Sequence, residues 1–417
     1  VLAESGYNVI GVEKNKNKIS QLNRNKVYLH EPNINERFSV QKNAKKLIFT
    51  THSNNITANT HVICVGTPLN FKTKKPKIDS MKEIIRSLIN SIKKGDLVIV
   101  RSTVPIGFTR NFICEQISKK TKMQAGEDFF ICFAPERTIE GDALEELRKN
   151  PQIIAGSTSK CLERGTIFFE RFCNHIVSLP NLESSELAKL TDNTFRDVTF
   201  AYSNELAMIA DNYNLNIKKI INACNVLYSR NNIPMPSPGV GGPCLTKDPY
   251  ILIDSAIKKN YHSGIVKSAR NINKNIILKL SNKIIKKIKT IKNPNLIICG
   301  LAFKGNPETN DYRDSTTLEL INILKKRIKG VRIYIYDPVI DQKEIKKLGY
   351  QSIGSPYSKV NATALIIANN HHSFKQLNIQ KIKSNMINNK VICDCWGLLN
   401  FELLNKDPEI DYFGVGF

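Results

Sequence analysis

At 417 residues and 47.1 kDa the chain is long enough for two or three domains, and 41% hydrophobic with 8% aromatic residues fills real cores, which excludes global disorder. No apolar run reaches the roughly 18 residues of a membrane helix and the first residues lack a basic, apolar, cleavable pattern, so a cytoplasmic protein without a membrane partner is expected. The net charge of +24 raises nucleic acid as a partner, but the lysines alternate with asparagine everywhere ("EKNKNKIS", "KIIKKIKTIKN") without a stacking motif, and no nucleic-acid partner is expected.

The first 160 or so residues alternate short apolar runs with helical patterns, as βαβ units do. "YNVIGVE", "HVICVG", "DLVIVRSTV" and "FFICFAPE" read as strands buried on both faces of a doubly wound parallel sheet, with "SMKEIIRSLINSIKK" as a crossover helix. From about Ser184 to Lys292 the period changes to 3.6 and strand signals vanish. "SSELAKLTDNTFRDVTFAYSNELAMIADNY" and "GIVKSARNINKNIILKLSNKIIKKIKTIK" are long helices that bracket a glycine-rich loop. "NLIICGLAF", "VRIYIYD", "ATALIIANN" and "KVICDCW" then restore the strand pattern. The fold class is therefore α/β: two Rossmann-like doubly wound domains, 1–180 and 293–417, joined by a central helical domain, 181–292.

The opening "VLAESGYNVIGVE" reads as a helix end followed by a strand ending in Glu13. An acidic residue at that place in a dinucleotide-binding unit takes the ribose hydroxyls, and the glycine fingerprint lies about 20 residues earlier. The expectation is a Rossmann domain whose first strand and phosphate-binding glycine turn are missing from these residues, with weakened dinucleotide binding and an exposed sheet.

The ten cysteines lack framework spacing and are expected to be reduced. Cys393 and Cys395 form C-x-C on an apolar run without a second ligand pair, so no metal site is expected. Cys244 differs from the rest. In "SPGVGGPCLTKDP" it follows Gly239, Gly241 and Gly242, which permit close backbone approach or φ > 0, and it precedes Lys247 and Asp248, where a helix begins. A thiol so placed is drawn below its ordinary pKa of about 8.5, toward nucleophilic thiolate. A buried core thiol is the alternative.

Seven motifs in order carry a resemblance that spans the chain: "GTP" at Gly66, "STVPIG" at Ser102, "APERTIEG" at Ala134, "ELAKLTDNTF" at Glu186, "PGVGGPCLTKDP" at Pro238, "GLAFK" at Gly300 and "DYRDS" at Asp311. Together they resemble the NAD-dependent UDP-glucose/GDP-mannose dehydrogenases, which oxidise a nucleotide sugar at C6 from alcohol to carboxylate. The resemblance implies Cys244 as the nucleophile that forms a thiohemiacetal and then a thioester. It implies Lys189 and Asn193, four apart on one helix face, as oxyanion donors, and Asp248 as the group that orients or deprotonates the hydrolytic water. Thr103 and Glu140 are implied near the nicotinamide or the reacting water. The implied cofactor set is Glu13, Lys18, Gly66, Thr67, Thr103, Glu140 and Arg313. The implied substrate set is Glu136, Arg137, Lys189, Asn193, Arg230, Gly241, Gly242 and Lys304, with Lys304 and Arg313 toward a pyrophosphate. Arg230 matches an arginine that some branches use on substrate across a dimer interface, a plain surface arginine being the alternative; a homodimer through the central helices is implied.

Pro135-Glu136-Arg137 resembles the branch that acts on UDP-N-acetylhexosamines, whereas the UDP-glucose and GDP-mannose branch usually reads Pro-Glu-Phe-Leu there. The loop residues do not distinguish UDP-N-acetylmannosamine from UDP-N-acetylglucosamine. UDP-glucose 6-dehydrogenase and an inactive nucleotide-binding remnant stay open as alternatives.

Overall fold

The computed structural model describes residues 1–52, 56–70 and 72–417, which form two compact units, Val1–Asn193 with Tyr250–His262 and Thr194–Pro249 with Ser263–Phe417. In chain order the elements up to the central helices are β1 (Val9–Val12), α1 (Lys16–Asn23), α2 (Ile34–Asn43), β2 (Leu47–Thr50), β3 (Thr60–Ile63), α3 (Asp79–Ile89), β4 (Leu97–Val100), a π-helical turn Thr109–Cys114 that runs into α4 (Glu115–Thr121), β5 (Phe130–Phe133), α5 (Ala143–Lys149), β6 (Gln152–Gly156), α6 (Ser159–Glu170) and β7 (Ile176–Ser178). The central helices are α7 (Leu182–Asn212), α8 (Ile217–Asn225), α9 (Asp248–Ile257) and α10 (Gly264–Ile288). The remainder is β8 (Asn295–Cys299), α11 (Thr316–Arg327), β9 (Arg332–Tyr336), α12 (Gln342–Lys347), β10 (Gln351–Ser352), β11 (Ala362–Ile367), α13 (Ile379–Ser384), β12 (Met386–Asp394), α14 (Phe401–Asn405) and β13 (Ile410–Gly414).

In the first unit a five-stranded sheet has the order β3-β4-β5-β6-β7, and β1 pairs with β2 in a separate parallel pair. Side chains alternate across β4 and β5. Val98, Val100, Ile131 and Phe133 pack with Met81, Ile85 and Leu88 of α3, while Leu97, Ile99, Phe130 and Cys132 pack with Phe168 and Phe169 of α6. Burial on both faces thus holds for β4 and β5. It does not hold for β1, where Ile10 and Val12 are exposed and where, among the described residues, β2 is the one partner strand. The sheet also departs from the all-parallel expectation: β6 runs antiparallel to β5, since the connection through the short α5 returns the chain without a full crossover.

In the second unit six parallel strands run β10-β9-β8-β11-β12-β13. Counted from β8 this is the order 3-2-1-4-5-6 of a dinucleotide-type doubly wound sheet, whose ligand crevice lies where the order reverses, between β8 and β11. One face packs Leu296, Ile298, Ile333 and Ile366 against Ile276, Ile277 and Leu280 of α10 and Leu320, Ile321 and Leu324 of α11. Cys393 and Cys395 belong to that core, with sulfurs 3.9 Å apart.

Candidate active site

The first unit gathers its candidate residues at the carboxyl ends of its strands. Glu13 leaves β1 with its N–H on the Thr50 carbonyl (3.1 Å); its carboxylate accepts from the Asn15 N–H (2.9 Å) and lies 3.7 Å from the Lys18 ammonium. A Cβ placed on Gly66, just past β3, would meet nothing within 4 Å, so backbone there borders open space. A carboxylate at the end of β1 and accessible glycine backbone after β3 are groups that fit a dinucleotide. Thr67 donates its hydroxyl to the Thr103 carbonyl (2.6 Å), tying the exits of β3 and β4 together.

At the exit of β5, Glu136 pairs with the Arg101 guanidinium and accepts the N–H groups of Arg137 (2.8 Å) and Thr138 (3.0 Å). Burial pushes the Glu136 carboxyl up, but Arg101 and these donors together hold it below the ordinary range. The backbone carbonyl of Glu136 accepts a hydrogen bond from the Lys189 ammonium. Lys189 and Asn193 are both buried on α7, on one helix face as their spacing predicts. Arg137 is engaged by protein groups: Nε donates to Asp192 (2.6 Å) and the guanidinium to the Pro151 carbonyl (3.2 Å). Glu140 is half-buried in the segment between β5 and α5.

In the second unit the glycines before Cys244 answer a steric demand. Gly239 and Gly242 have φ of +89° and +88°. The Gly242 N–H donates to the Asp314 carbonyl (3.1 Å); a Cβ on Gly241 would stand 2.7 Å from that same oxygen, and one on Gly242 would stand 2.7 Å from the Phe303 ring. The cysteine loop therefore lies directly on the 300–315 segment after β8, which a side chain at either position would push away. The Cys244 carbonyl accepts the N–H groups of Lys247 (3.0 Å) and Asp248 (2.8 Å), so the exposed thiol sits in the turn that opens α9. Asp248 is buried and accepts from the Lys247 ammonium.

Behind that turn, Arg270 of α10 pairs with Asp197 of α7 (2.6 Å) and donates to the Leu245 carbonyl (3.2 Å), and Asn273 also donates to Asp197 (2.8 Å). Burial pushes the Asp197 carboxyl up against the pull of Arg270 and Asn273. Lys304 lies with its ammonium 5.8 Å from the Phe303 ring centroid, and Arg313 is paired with Asp311, both on the segment that leaves β8 at the crevice. Across that crevice, in the segment after β11, His371 accepts the Ser373 N–H at Nδ1 and presents Nε2–H to Glu308 (2.9 Å). Arg230 is exposed and stacks on Tyr228 (4.8 Å).

Sequence reading passed over Glu186, Asp197, Arg270, Asn273, Glu308 and His371. The first four stand in helices whose spacing is satisfied by any polar residue, so their only signal was a polar group at a position the apolar stripe could have filled. Among the described residues no helix is long and apolar enough to cross a membrane.

Family profiles match in sequence order: UDP-glucose/GDP-mannose dehydrogenase NAD binding domain over 1–173, central domain over 183–275 and UDP binding domain over 297–401. UDP-N-acetyl-D-mannosamine dehydrogenase of Pyrococcus horikoshii is 31% identical, with 100% of this chain and 95% of that protein covered. The enzyme of the same name from Campylobacter jejuni is 32% identical over 83% of this chain and 84% of its own. The solved structure of the Pyrococcus horikoshii protein superposes with a TM-score of 0.89 at 30% identity, covering 100% of this chain and 95% of that one; the UDP-N-acetyl-mannosamine dehydrogenase of Staphylococcus aureus superposes at 0.84 and 27%, covering 100% and 94%.

Proposed function

Because the chain belongs to the UDP-glucose/GDP-mannose dehydrogenase family, and is an NAD-dependent oxidoreductase acting on a UDP-sugar, we propose that it oxidises the C6 alcohol of UDP-N-acetylmannosamine to the uronic acid, a four-electron conversion. The observation that carries the choice of sugar is Pro135-Glu136-Arg137 at the exit of β5, together with the substrate named for the Pyrococcus horikoshii and Campylobacter jejuni relatives.

NAD, when bound, supplies the hydride acceptor for both two-electron oxidations. Glu13, Lys18, Gly66, Thr67, Thr103, Glu140 and Arg313 are the residues assigned to holding it. The chain's own chemistry centres on Cys244. Its thiolate adds to the C6 aldehyde carbon; the resulting thiohemiacetal loses a hydride and a proton to become a thioester, and water then releases the carboxylate and restores the thiol. Each addition places negative charge on the former carbonyl oxygen. Lys189 and Asn193, a buried ammonium and a buried amide, are the donors assigned to that charge. Asp248, buried one turn from Cys244, is suited to take the proton of the hydrolytic water. Lys304, on the segment that leaves β8 at the crevice, is assigned to a UDP pyrophosphate, and Glu136, Gly241, Gly242 and Arg137 are assigned to the sugar, Arg137 through the loop that its guanidinium braces.

The same reading assigns 1–180 to NAD, 181–292 to the cysteine loop and dimerisation, and 293–417 to UDP, in a homodimer that makes precursors of surface polysaccharide in the cytoplasm. Phe195, Tyr202, Ile209 and Tyr213, spaced seven, seven and four apart along and just past α7, are all exposed, an apolar stripe suited to a second copy, with Arg230 reaching that copy's substrate.

The test follows reduced nicotinamide with a panel of UDP sugars. The highest kcat/KM is expected on UDP-N-acetylmannosamine, and Cys244→Ser is expected to form no acid. A higher kcat/KM on UDP-glucose overturns the substrate, and acid formation by the serine variant at the wild-type rate overturns the thioester.

A further inference from the structure

Glu186 is fully buried one turn before Lys189 on α7, yet no step of the proposed reaction uses it. Its two carboxylate oxygens accept two backbone N–H groups, from Gly107 at Oε2 and from Thr109 at Oε1 (2.8 Å). Those amides lie 79 and 77 residues away, in the segment that carries the chain from Thr103 past β4 into the helical turn at Thr109. Two further bonds extend this contact to the exits of β3 and β5. Thr67 holds the Thr103 carbonyl, Glu186 holds the segment four to six residues on, and Lys189, on the next turn of the same helix, holds the carbonyl of Glu136 at the exit of β5.

We infer that Glu186 is a positioning residue: its carboxylate clamps the strand-exit segment carrying Thr103 to the turn of α7 that presents Lys189 and Asn193, and so sets the distance between the cofactor-side and oxyanion-side groups of the reaction. The inference rests on the roles proposed above for Thr103, Lys189 and Asn193. A neutral side chain of the same shape cannot replace the carboxylate. Glutamine offers one acceptor and one NH₂, and the NH₂ would face a backbone N–H; alanine leaves both amides buried without an acceptor.

The charged groups around the clamp are already committed. Glu183, one turn earlier, forms a two-pronged pair with Arg110 (2.7 and 3.3 Å). Lys189 is held by Glu136, and on α9 Asp254 pairs with Lys258 (2.8 Å) while the neighbouring Ser255 hydroxyl accepts the Ile106 N–H (3.3 Å). None of these cations faces Glu186 at hydrogen-bond distance. Burial pushes its carboxyl up to about 7, so the two-acceptor form is complete only above neutrality.

Amide hydrogen exchange in the peptide spanning 103–112 tests the clamp without reference to turnover, and kcat tests its consequence. For wild type, after correction for intrinsic exchange, protection of this peptide is expected to fall several-fold from pH 8 to pH 6. At pH 8, Glu186→Gln is expected to lower that protection at least tenfold and to lower kcat ten- to a hundredfold, with KM for the UDP-sugar within twofold and the acid limb of the kcat profile gone. Glu186→Asp, which keeps the charge one methylene short, should regain part of both losses. Protection that is flat with pH in wild type overturns the clamp even if neither variant folds; unchanged kcat with an unchanged acid limb in Glu186→Gln overturns its role in the reaction. If wild type turns over no UDP-sugar, it is the proposed function that fails, while the exchange data still decide the clamp.

Discussion

Lys189 and Asn193 share a helix face and a low exposure, and a buried ammonium needs a reason to be there. The Glu136 carbonyl supplies one partner, and on the proposed mechanism a developing oxyanion would be another. If both residues stabilise one oxygen, Lys189→Ala and Asn193→Ala should each raise the barrier by about 3 kcal/mol, the effect of removing an oxyanion donor. The double variant should then cost much less than the sum, because the site fails as a unit. Steady-state kcat/KM for the four proteins gives the cycle, and full additivity would assign the two residues to separate steps. Arg137 shows the limit of the resemblance at this scale. Its identity pointed to the sugar, but its guanidinium is held by Asp192 and the Pro151 carbonyl, so any effect on the sugar passes through the loop it braces.

The cysteine loop is the element whose sequence carries most of its own geometry. Positive φ at Gly242 and the Phe303 ring 2.7 Å from where its Cβ would stand impose two penalties on any substitution. Gly242→Ala should lower unfolding stability by about 2 kcal/mol, from left-handed backbone and overpacking together. Urea unfolding measures this, and a loss below a few tenths would mean that the 300–315 segment yields without cost. The neighbouring Asp197–Arg270 pair holds the loop from behind through the Leu245 carbonyl. These contacts join groups more than twenty residues apart, and a regular helical pattern gives no sign of them. The antiparallel pairing of β5 with β6 is of the same kind. Both strands are apolar runs, and the direction in which one meets the other is set by the connection between them.

Across the whole molecule a buried carboxylate, Glu186, and a half-buried one, Glu4, bias stability with pH in opposite directions. Glu186, about 7 in the fold against 4.5 in the unfolded chain, makes the folded state bind more protons than the unfolded one between those values. Its contribution is present below pH 4.5 and is lost as pH rises through 7, about 3 kcal/mol in all. Glu4, held down to about 2 by Arg37, contributes above pH 4.5 and is lost as pH falls toward 2. Urea unfolding of wild type and Glu186→Gln at pH 5 and pH 8 isolates the first effect: wild type should lose about 2.5 kcal/mol more than the variant on going to pH 8. Equal changes in the two proteins would place the carboxyl's titration outside this range. Global stability and local protection at Gly107 and Thr109 should thus move in opposite directions with pH, since ionising Glu186 costs desolvation while completing the clamp. At this scale the sequence by itself determined eight of the strands, the long central helices, the glycine demand before Cys244 and, through ordered motifs, the family and its cofactor. All of these are encoded in spacings of a few residues, where backbone sterics and side-chain periodicity act directly. Only the tertiary structure decided that β1 and β2 form their own pair, that β6 turns against β5, that Arg137 is held by Asp192, and that Glu186 meets Gly107 and Thr109. Those pairings close long loops, and what selects them is which buried polar group finds a partner once the apolar faces have packed, a condition no local pattern contains.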